Sequence, residues 1–442
     1  MFTTAVIALG LWGSTAWAGP AAFVLKPDWK GPAQRADVID VNLGNTPETF
    51  VRAAYSQITG KLPSKAIVDA WAAKLRKEPT LRRVDVVRIL CKQLGHPAKL
   101  KYSDPWANDP ELAPAGPKRA KRDIGAVLMF FFNCPGGVNC GMDWANNHVL
   151  GMDASNAALG GYYDPKNAGF WRHELRDAKA AGLDFLLANV YGPDLQEGKV
   201  KVLAQALAAE TAPLKIGLLD DTWAWGEPWF GPTWKLRPDL NQPAAASVKL
   251  YEAKWKPFFT QVDRKHWYLV DGKPMIYLYN AGKLLPLTQA AGTFKRMKML
   301  FKRDFGVEPF LVVDQAYFAD AEMPRVADAR FIWDPLFHGD DASGVSRSQM
   351  KGKLLCHAVT RWDAVGRDKP GAIAGPQDRL VKGPEQLAKV LASTADADLL
   401  VLGTWNDLGE GTGLNRCYDY WYQGRWLAPD HFISLIRDAA GR

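Results

Sequence analysis

From Thr46 to Gly95 the apolar positions recur at helical spacing. Phe50, Val51, Ala54, Tyr55 and Ile58 make one stripe. Ala66, Ile67, Ala70, Trp71 and Leu75 make a second, and Leu81, Val84, Val87, Leu90 and Leu94 a third. Thr46 followed by Pro47 predicts the first helix start. The turn Gly60-Lys61-Leu62-Pro63-Ser64 ends that helix, with Ser64 as the next N-cap. Three helices of this size can just close a small core. Residues 46–95 are therefore expected to form a helical module, with a poorly ordered leader before it over Gly19–Gly44. A linker rich in Pro, Lys and Asp follows over 96–123.

Beyond the linker the period changes. Eight apolar, strand-like runs stand at Ala126–Phe132, Asp184–Tyr191, Lys215–Asp220, Met275–Tyr279, Phe310–Gln315, Arg330–Trp333, Leu354–Val359 and Leu399–Thr404. Helical segments such as Trp171–Ala181, Lys199–Ala209, Ser247–Gln261 and Pro384–Ser393 lie between them. Continuous apolar strands with helical crossovers imply a parallel sheet covered by helices. The predicted fold class is α/β: residues 124–442 form a (β/α)₈ TIM-type barrel after the small all-helical module. A doubly wound open sheet is the alternative. Against its nucleotide-binding version, Asn133-Cys134-Pro135-Gly136-Gly137 does not open a helix after the first strand.

The amino terminus adds an address. Ala5–Trp12 is a short apolar run and Ala16-Trp17-Ala18 a small-x-small cleavage pattern. Residues 1–18 read as a signal peptide, so a secreted or periplasmic protein is expected. The chain carries 55 Lys+Arg against 47 Asp+Glu, a net charge of +8. Between Thr46 and Lys101 there are 12 basic and 4 acidic residues, so the excess lies in the helical module. A solvated helical surface explains it; a weak association with anionic cell-envelope polymers is the second reading. No nucleic-acid recognition motif is present. Five cysteines in 442 residues do not make a disulfide scaffold. Cys134 with Cys140, and Cys356 with Cys417, are candidate pairs, whereas Cys91 lies in an apolar stripe and is expected to be a buried thiol.

In a parallel barrel, reactive groups stand at the C-terminal ends of the strands. Those ends read Tyr191; Asp220, Asp221 and Trp223; Tyr279; Asp314; Asp334; Trp362; and Trp405-Asn406-Asp407 with Glu410. Carboxylates do acid and base work on a glycosidic bond, amides and acids hold hydroxyls, and rings stack on the apolar faces of sugars. The 18 tryptophans, four of them in twelve loop residues (Trp223, Trp225, Trp229 and Trp234), fit that chemistry. No Ser/His/Asp or Cys/His set stands out, and the seven histidines show no metal-ligand spacing, so no metal and no cofactor are expected. A carbohydrate is the expected partner. The sharpest feature is the acid pair Asp407 and Glu410, three apart around Leu408-Gly409.

Trp405-Asn406-Asp407-x-x-Glu410-Gly411-Thr412 resembles the W-N-E-W-x-E-G-T signature of glycoside hydrolase family 99 and its family 71-like relatives. Asp271-Gly272-Lys273-Pro274-Met275-Ile276-Tyr277-Leu278-Tyr279 resembles their "GKP, apolar, Tyr" strand. Gly161–Asp164, with Trp171–Tyr191, resembles their second βα unit. The likeness implies a secreted glycosidase-like barrel from about Ile124 onward, with Asp407 as base and Glu410 as acid. In that family the base deprotonates the sugar's 2-hydroxyl, which attacks the anomeric carbon. Asp407 is one methylene shorter than the family's Glu, so a two-carboxylate mechanism using Glu410 with Asp220, Asp221 or Asp314 stands equally open. A catalytically inactive carbohydrate-binding barrel is the alternative function. The string from Phe50 to Ser64 resembles phycobilisome-linker-like helical modules.

Overall fold

A computed structural model describes residues 31–101, 121–130, 165–210, 214–221, 242–279, 287–335, 344–360, 384–407, 412–416 and 421–441, apart from positions 42, 79, 80, 82, 167, 334, 351, 423 and 429. Three helices, α1 (Pro47–Thr59), α2 (Lys65–Lys77) and α3 (Arg83–Leu94), form the amino-terminal module. Thr46 caps α1 through the Thr49 N–H, and Ser64 caps α2 through the Ile67 N–H. Gly60 closes α1 in the left-handed conformation (φ 73°) that a side chain would disfavour. Phe50, Val51, Val68, Val84, Val87 and Cys91 make the module's core, with the Cys91 thiol pushed up by burial.

The module reaches beyond the expected helices on both sides. Strand β1 (Ile39–Asp40) pairs in parallel with β2 (Leu100–Lys101). The Gln57 side chain accepts from the Asp40 N–H at 2.8 Å and donates to its carbonyl at 3.1 Å. Part of the predicted leader and part of the predicted linker are thus structured. Two-residue strands are too short to show a period.

The larger sheet is a nearly closed barrel of nine mostly parallel strands. They are β3 (Asp123–Met129), β4 (Phe185–Asn189), β5 (Lys215–Asp221), β7 (Lys273–Tyr279), β8 (Phe310–Asp314), β9 (Ala329–Phe331), β10 (Ser346–Met350), β11 (Lys353–Val359) and β12 (Leu399–Gly403). A two-residue β6 (Leu269–Val270) forms a hairpin with β7. All eight predicted strands are present and parallel, and β12 pairs with β3 to join the ends. The ninth strand, β10, is antiparallel to β11 and reads Ser-Arg-Ser-Gln-Met. It carries no apolar run, so hydropathy does not reveal it. Its inward serines complete the seam with β9: the N–H of Ile332 donates to Ser346 Oγ at 3.0 Å, and that of Arg330 to Ser348 Oγ at 3.2 Å.

The barrel interior is tight. A Cβ on Gly125 would lie 2.3 Å from the Phe185 ring, which stacks on Tyr268 with centroids 3.7 Å apart. Outside the strands run Ala168–Ala180, Lys199–Ala209, Pro243–Leu250, Ala290–Phe305, Pro384–Ser393 and His431–Ala439. Pro243–Leu250 continues through a π turn, Tyr251–Trp255, into Lys256–Gln261. A hairpin of β13 (Trp421–Tyr422) and β14 (Arg425–Trp426) fastens the helical module to the barrel. The Trp426 indole enters the module's core, 5.5 Å from the Phe50 ring and 4.7 Å below the Arg83 guanidinium. Its backbone N–H donates to the Asn45 carbonyl at 2.9 Å.

Candidate active site at the barrel mouth

Adjacent residues on a strand point to opposite faces, and this separates the two aspartates that end β5. Asp220 faces outward and is fully buried. Its oxygens receive the Lys254 ammonium and, at 2.8 Å, the Trp255 indole N–H, both from the π turn. Asp221 faces the lumen, where it accepts the Tyr191 hydroxyl at 3.0 Å. Asp220 therefore anchors the helical layer and does not reach the mouth.

Tyr191 is the hub of the near side. The Asn189 amide donates to its hydroxyl oxygen at 3.3 Å and to the Met129 sulfur at 3.2 Å. The Tyr191 backbone N–H is tied to Asp194 at 2.9 Å, and Lys199 donates to the other Asp194 oxygen at 2.8 Å. Burial, reinforced by the carboxylates of Asp221 and Asp407, holds the Tyr191 phenol well above its usual range. It stays protonated and remains a donor. Burial likewise raises the Asp194 carboxyl, against the pull of Lys199.

The segment after β12 turns three consecutive side chains to three destinations. The Trp405 indole points outward and donates to Glu174 on the helix Ala168–Ala180 at 2.6 Å. Asn406 accepts from the Met129 N–H at 2.7 Å and donates to the Met129 carbonyl at 3.3 Å, which continues the β12–β3 seam with a side chain. Asp407 lies among the mouth groups, 5% exposed and within electrostatic range of Tyr191. Trp405 and Asn406, both expected to hold substrate, are committed to packing and to strand closure.

Across the barrel, Tyr279 ends β7 and Trp333 follows β9. Their rings stack with centroids 4.2 Å apart, and Trp333 also lies over His357 at 5.8 Å. Both rings are half-buried. Burial lowers the His357 imidazole to about 4, so it is neutral near pH 7. Asp314 ends β8 one position beyond the Leu278–Val313 pair, level with Tyr279. Its Oδ1 accepts from the Ala316 N–H at 2.9 Å, starting the short helix Gln315–Ala319.

The mouth thus brings together Tyr191, Asp221, Tyr279, Asp314 and Asp407 from the expected set. Glu410, Trp223, Asp334 and Trp362 lie outside the described residues, as do Cys134, Cys140, Cys417 and the expected signal peptide 1–18. Asn189 and Trp333, which the sequence also places at strand ends, join the mouth groups. Each is a residue of polar or amphipathic character just where an apolar run stops, and that signal was available in the sequence. Lys254 and Glu174, which hold Asp220 and Trp405 from the helices, carry no comparable sequence signal. Among the described residues no cluster of three or more His, Cys, Asp or Glu could hold a metal ion. No described helix is long and apolar enough to cross a membrane.

The family described as "Domain of unknown function (DUF5010)" matches residues 145–440. The chain belongs to this family. The DUF5010 match takes in the barrel from the connection after β3 onward and leaves out the helical module and β3 itself. No curated protein matches the sequence. Among solved structures, the chain is similar to the GH99 endo-alpha-mannosidase from Bacteroides thetaiotaomicron in complex with BIS-TRIS-Propane. The identity is 12%, the coverage 72% of this chain and 96% of that one, and the TM-score 0.47. It is also similar to a glycoside hydrolase-like protein, at 14% identity, 75% and 98% coverage and a TM-score of 0.49.

Proposed function

We propose that this DUF5010 protein hydrolyses a glycosidic bond in a polysaccharide or glycan bound at the barrel mouth. The observation that carries the proposal is a buried carboxylate–phenol pair facing the lumen, in which Asp221 at the end of β5 accepts the Tyr191 hydroxyl at 3.0 Å; Asp407, buried in the segment after β12, adds its charge to the forces that keep that phenol protonated. Glycoside hydrolysis needs one carboxyl to protonate the leaving oxygen and a second to act as base or nucleophile. In our reading Asp407 is the base and Glu410, three residues along, the acid. Asp221 is the further carboxylate, steered by Tyr191. The Tyr279–Trp333 pair supplies an apolar wall for a pyranose ring. We further infer export through residues 1–18, and a weak contact of the basic helical module with anionic envelope polymers.

Purified full-length protein is incubated with a broad glycan panel and new reducing ends are counted. D407N and E410Q are expected to lose hydrolysis by at least roughly 100-fold while their melting curves stay close to the parent's. Unchanged turnover in either variant removes that residue from its role. A parent protein that binds glycans and releases no reducing ends establishes the carbohydrate-binding barrel instead.

A further inference from the structure

We propose that Glu174, which lies outside the barrel on the helix Ala168–Ala180, is a positioning residue for Asp407. It acts by holding both arms of the loop that carries that acid. The inference rests on the glycosidase reading only for the meaning of Asp407; the mechanical link stands on contacts.

The loop leaves β12 at Thr404 and returns at Asn415. Its arms are laced together. The N–H groups of Leu414 and Asn415 donate to the Trp405 carbonyl at 2.7 and 2.8 Å, and that of Gly413 to the Asp407 carbonyl at 2.9 Å. The Asp407 N–H donates to Thr404 Oγ1 at 2.9 Å, and the Thr404 and Thr412 hydroxyls lie 2.8 Å apart. Such a ladder makes the stem one piece; β3 holds its inner side, through the Trp405 N–H to the Val127 carbonyl at 2.6 Å and through Asn406 to Met129, and its outer side is held by whatever grips it from the helical layer. Glu174 does so on both arms. It accepts the Trp405 indole N–H at 2.6 Å from the outgoing arm, and Asn415 on the returning arm bonds to the same carboxyl. Three residues further along the helix, Asp177 takes the buried Arg416 guanidinium at 3.0 and 3.2 Å, and Arg416 also touches His173.

The charges are unbalanced. Glu174 and Asp177 are 2% and 1% exposed and share one guanidinium, which bonds Asp177. Two buried carboxylates cannot both ionise cheaply beside a single cation. Burial first, then Asp177, raises the Glu174 carboxyl to about 8; the bonds from Trp405 and Asn415 and the charge of Arg416 pull it down. His173, one residue away, is held neutral by burial and by Arg416 and Arg176. The grip on the loop therefore changes its proton between neutral and mildly alkaline pH.

The test reads the loop without substrate. In full-length protein labelled at tryptophan, the Trp405 indole resonance, identified by its disappearance in W405F, is followed from pH 6 to pH 10. It is expected to shift with a midpoint about 8, and E174Q is expected to retain the resonance and abolish the shift. Amide exchange at Asp407 and Gly413 is expected to rise roughly tenfold in E174A, the loss of one strong hydrogen bond, and to stay near the parent rate in E174Q. Unchanged exchange in E174A overturns the proposal. If E174A does not fold, exchange at Asp407 and Gly413 in W405F, which removes the indole from the Glu174 carboxyl, decides in its place, and an unchanged rate there overturns it. A parent resonance that does not titrate overturns the alkaline proton change and leaves the clamp to the exchange rates. On a cleaved glycan, an alkaline limb present in the parent and absent in E174Q extends the role to turnover. Titration without any glycan cleavage leaves Glu174 as the loop's clamp and refutes the glycosidase reading alone.

Discussion

Asp220 and Asp221 differ by one position and should differ completely in what they do. Replacing Asp220 by Asn leaves the Lys254 ammonium, 1% exposed, without its counter-charge between the sheet and the π turn. The Trp255 indole bond, 2.8 Å in the parent, can pass to the new amide oxygen, so the loss is mainly electrostatic. Removing one partner of a buried ion pair costs about 3–5 kcal/mol. For a chain of 442 residues, an unfolding entropy of ~2.1 cal/mol/K per residue makes this a fall in Tm of about 3–5 °C. D221N should behave in the opposite way. Its amide oxygen still accepts the Tyr191 hydroxyl, so stability should change by less than about 1 kcal/mol, while glycan hydrolysis is lost. The assays are paired urea and thermal unfolding curves on the two variants, with reducing-end release alongside. The double change D220L/K254M removes both charges and should recover most of the stability, because a buried pair exchanged whole for apolar groups is close to neutral. A D221N protein that melts early beside an undisturbed D220N would show that the strand's facing has been assigned the wrong way round.

Two further outcomes follow from the packing. W426A deletes an indole 5% exposed between Phe50 and Arg83 and should weaken the docked module by about 3–5 kcal/mol. Hydrogen exchange should accelerate in α1 and α3 with the barrel strands unchanged, and equal protection in both proteins would place the module's anchor elsewhere. Burial lowers His357 and His431 to about 4 from an ordinary 6.5. The unfolded chain takes up these protons as pH falls below 6.5 and the native state does so only near 4. Each histidine therefore removes stability as pH drops through that window, by up to about 3 kcal/mol, and the loss levels off below it. H357N should flatten its share of the decline in urea midpoints between pH 7 and pH 4.5, and a decline of unchanged steepness would count against a neutral His357.

The strands and the helical module were legible along the chain because both are written in burial. Apolar residues dominate the middles of β3, β4, β5, β8, β11 and β12, as in Phe-Leu-Val-Val of β8 and Leu-Leu-Val-Leu of β12, since a parallel strand inside a barrel is covered on both faces. Thr46 and Ser64 announced the helix starts because an N-cap is a local hydrogen bond, complete within four residues. The same continuous burial hid which side of each strand meets the lumen. With both faces apolar, the alternation has no visible phase, so Asp220 and Asp221 looked equivalent until Lys254 and Tyr191 claimed one each. Trp405, Asn406 and Asp407 likewise read as one site motif, although a helix 231 residues earlier in the sequence takes the indole and Met129 takes the amide. The polar strand β10 and the docking of Trp426 also arose only when distant segments met. Local sequence determined the elements and the end of the barrel at which carboxylates gather. Long-range contact decided which of those carboxylates face a substrate, because the direction of a side chain depends on partners that no local pattern contains.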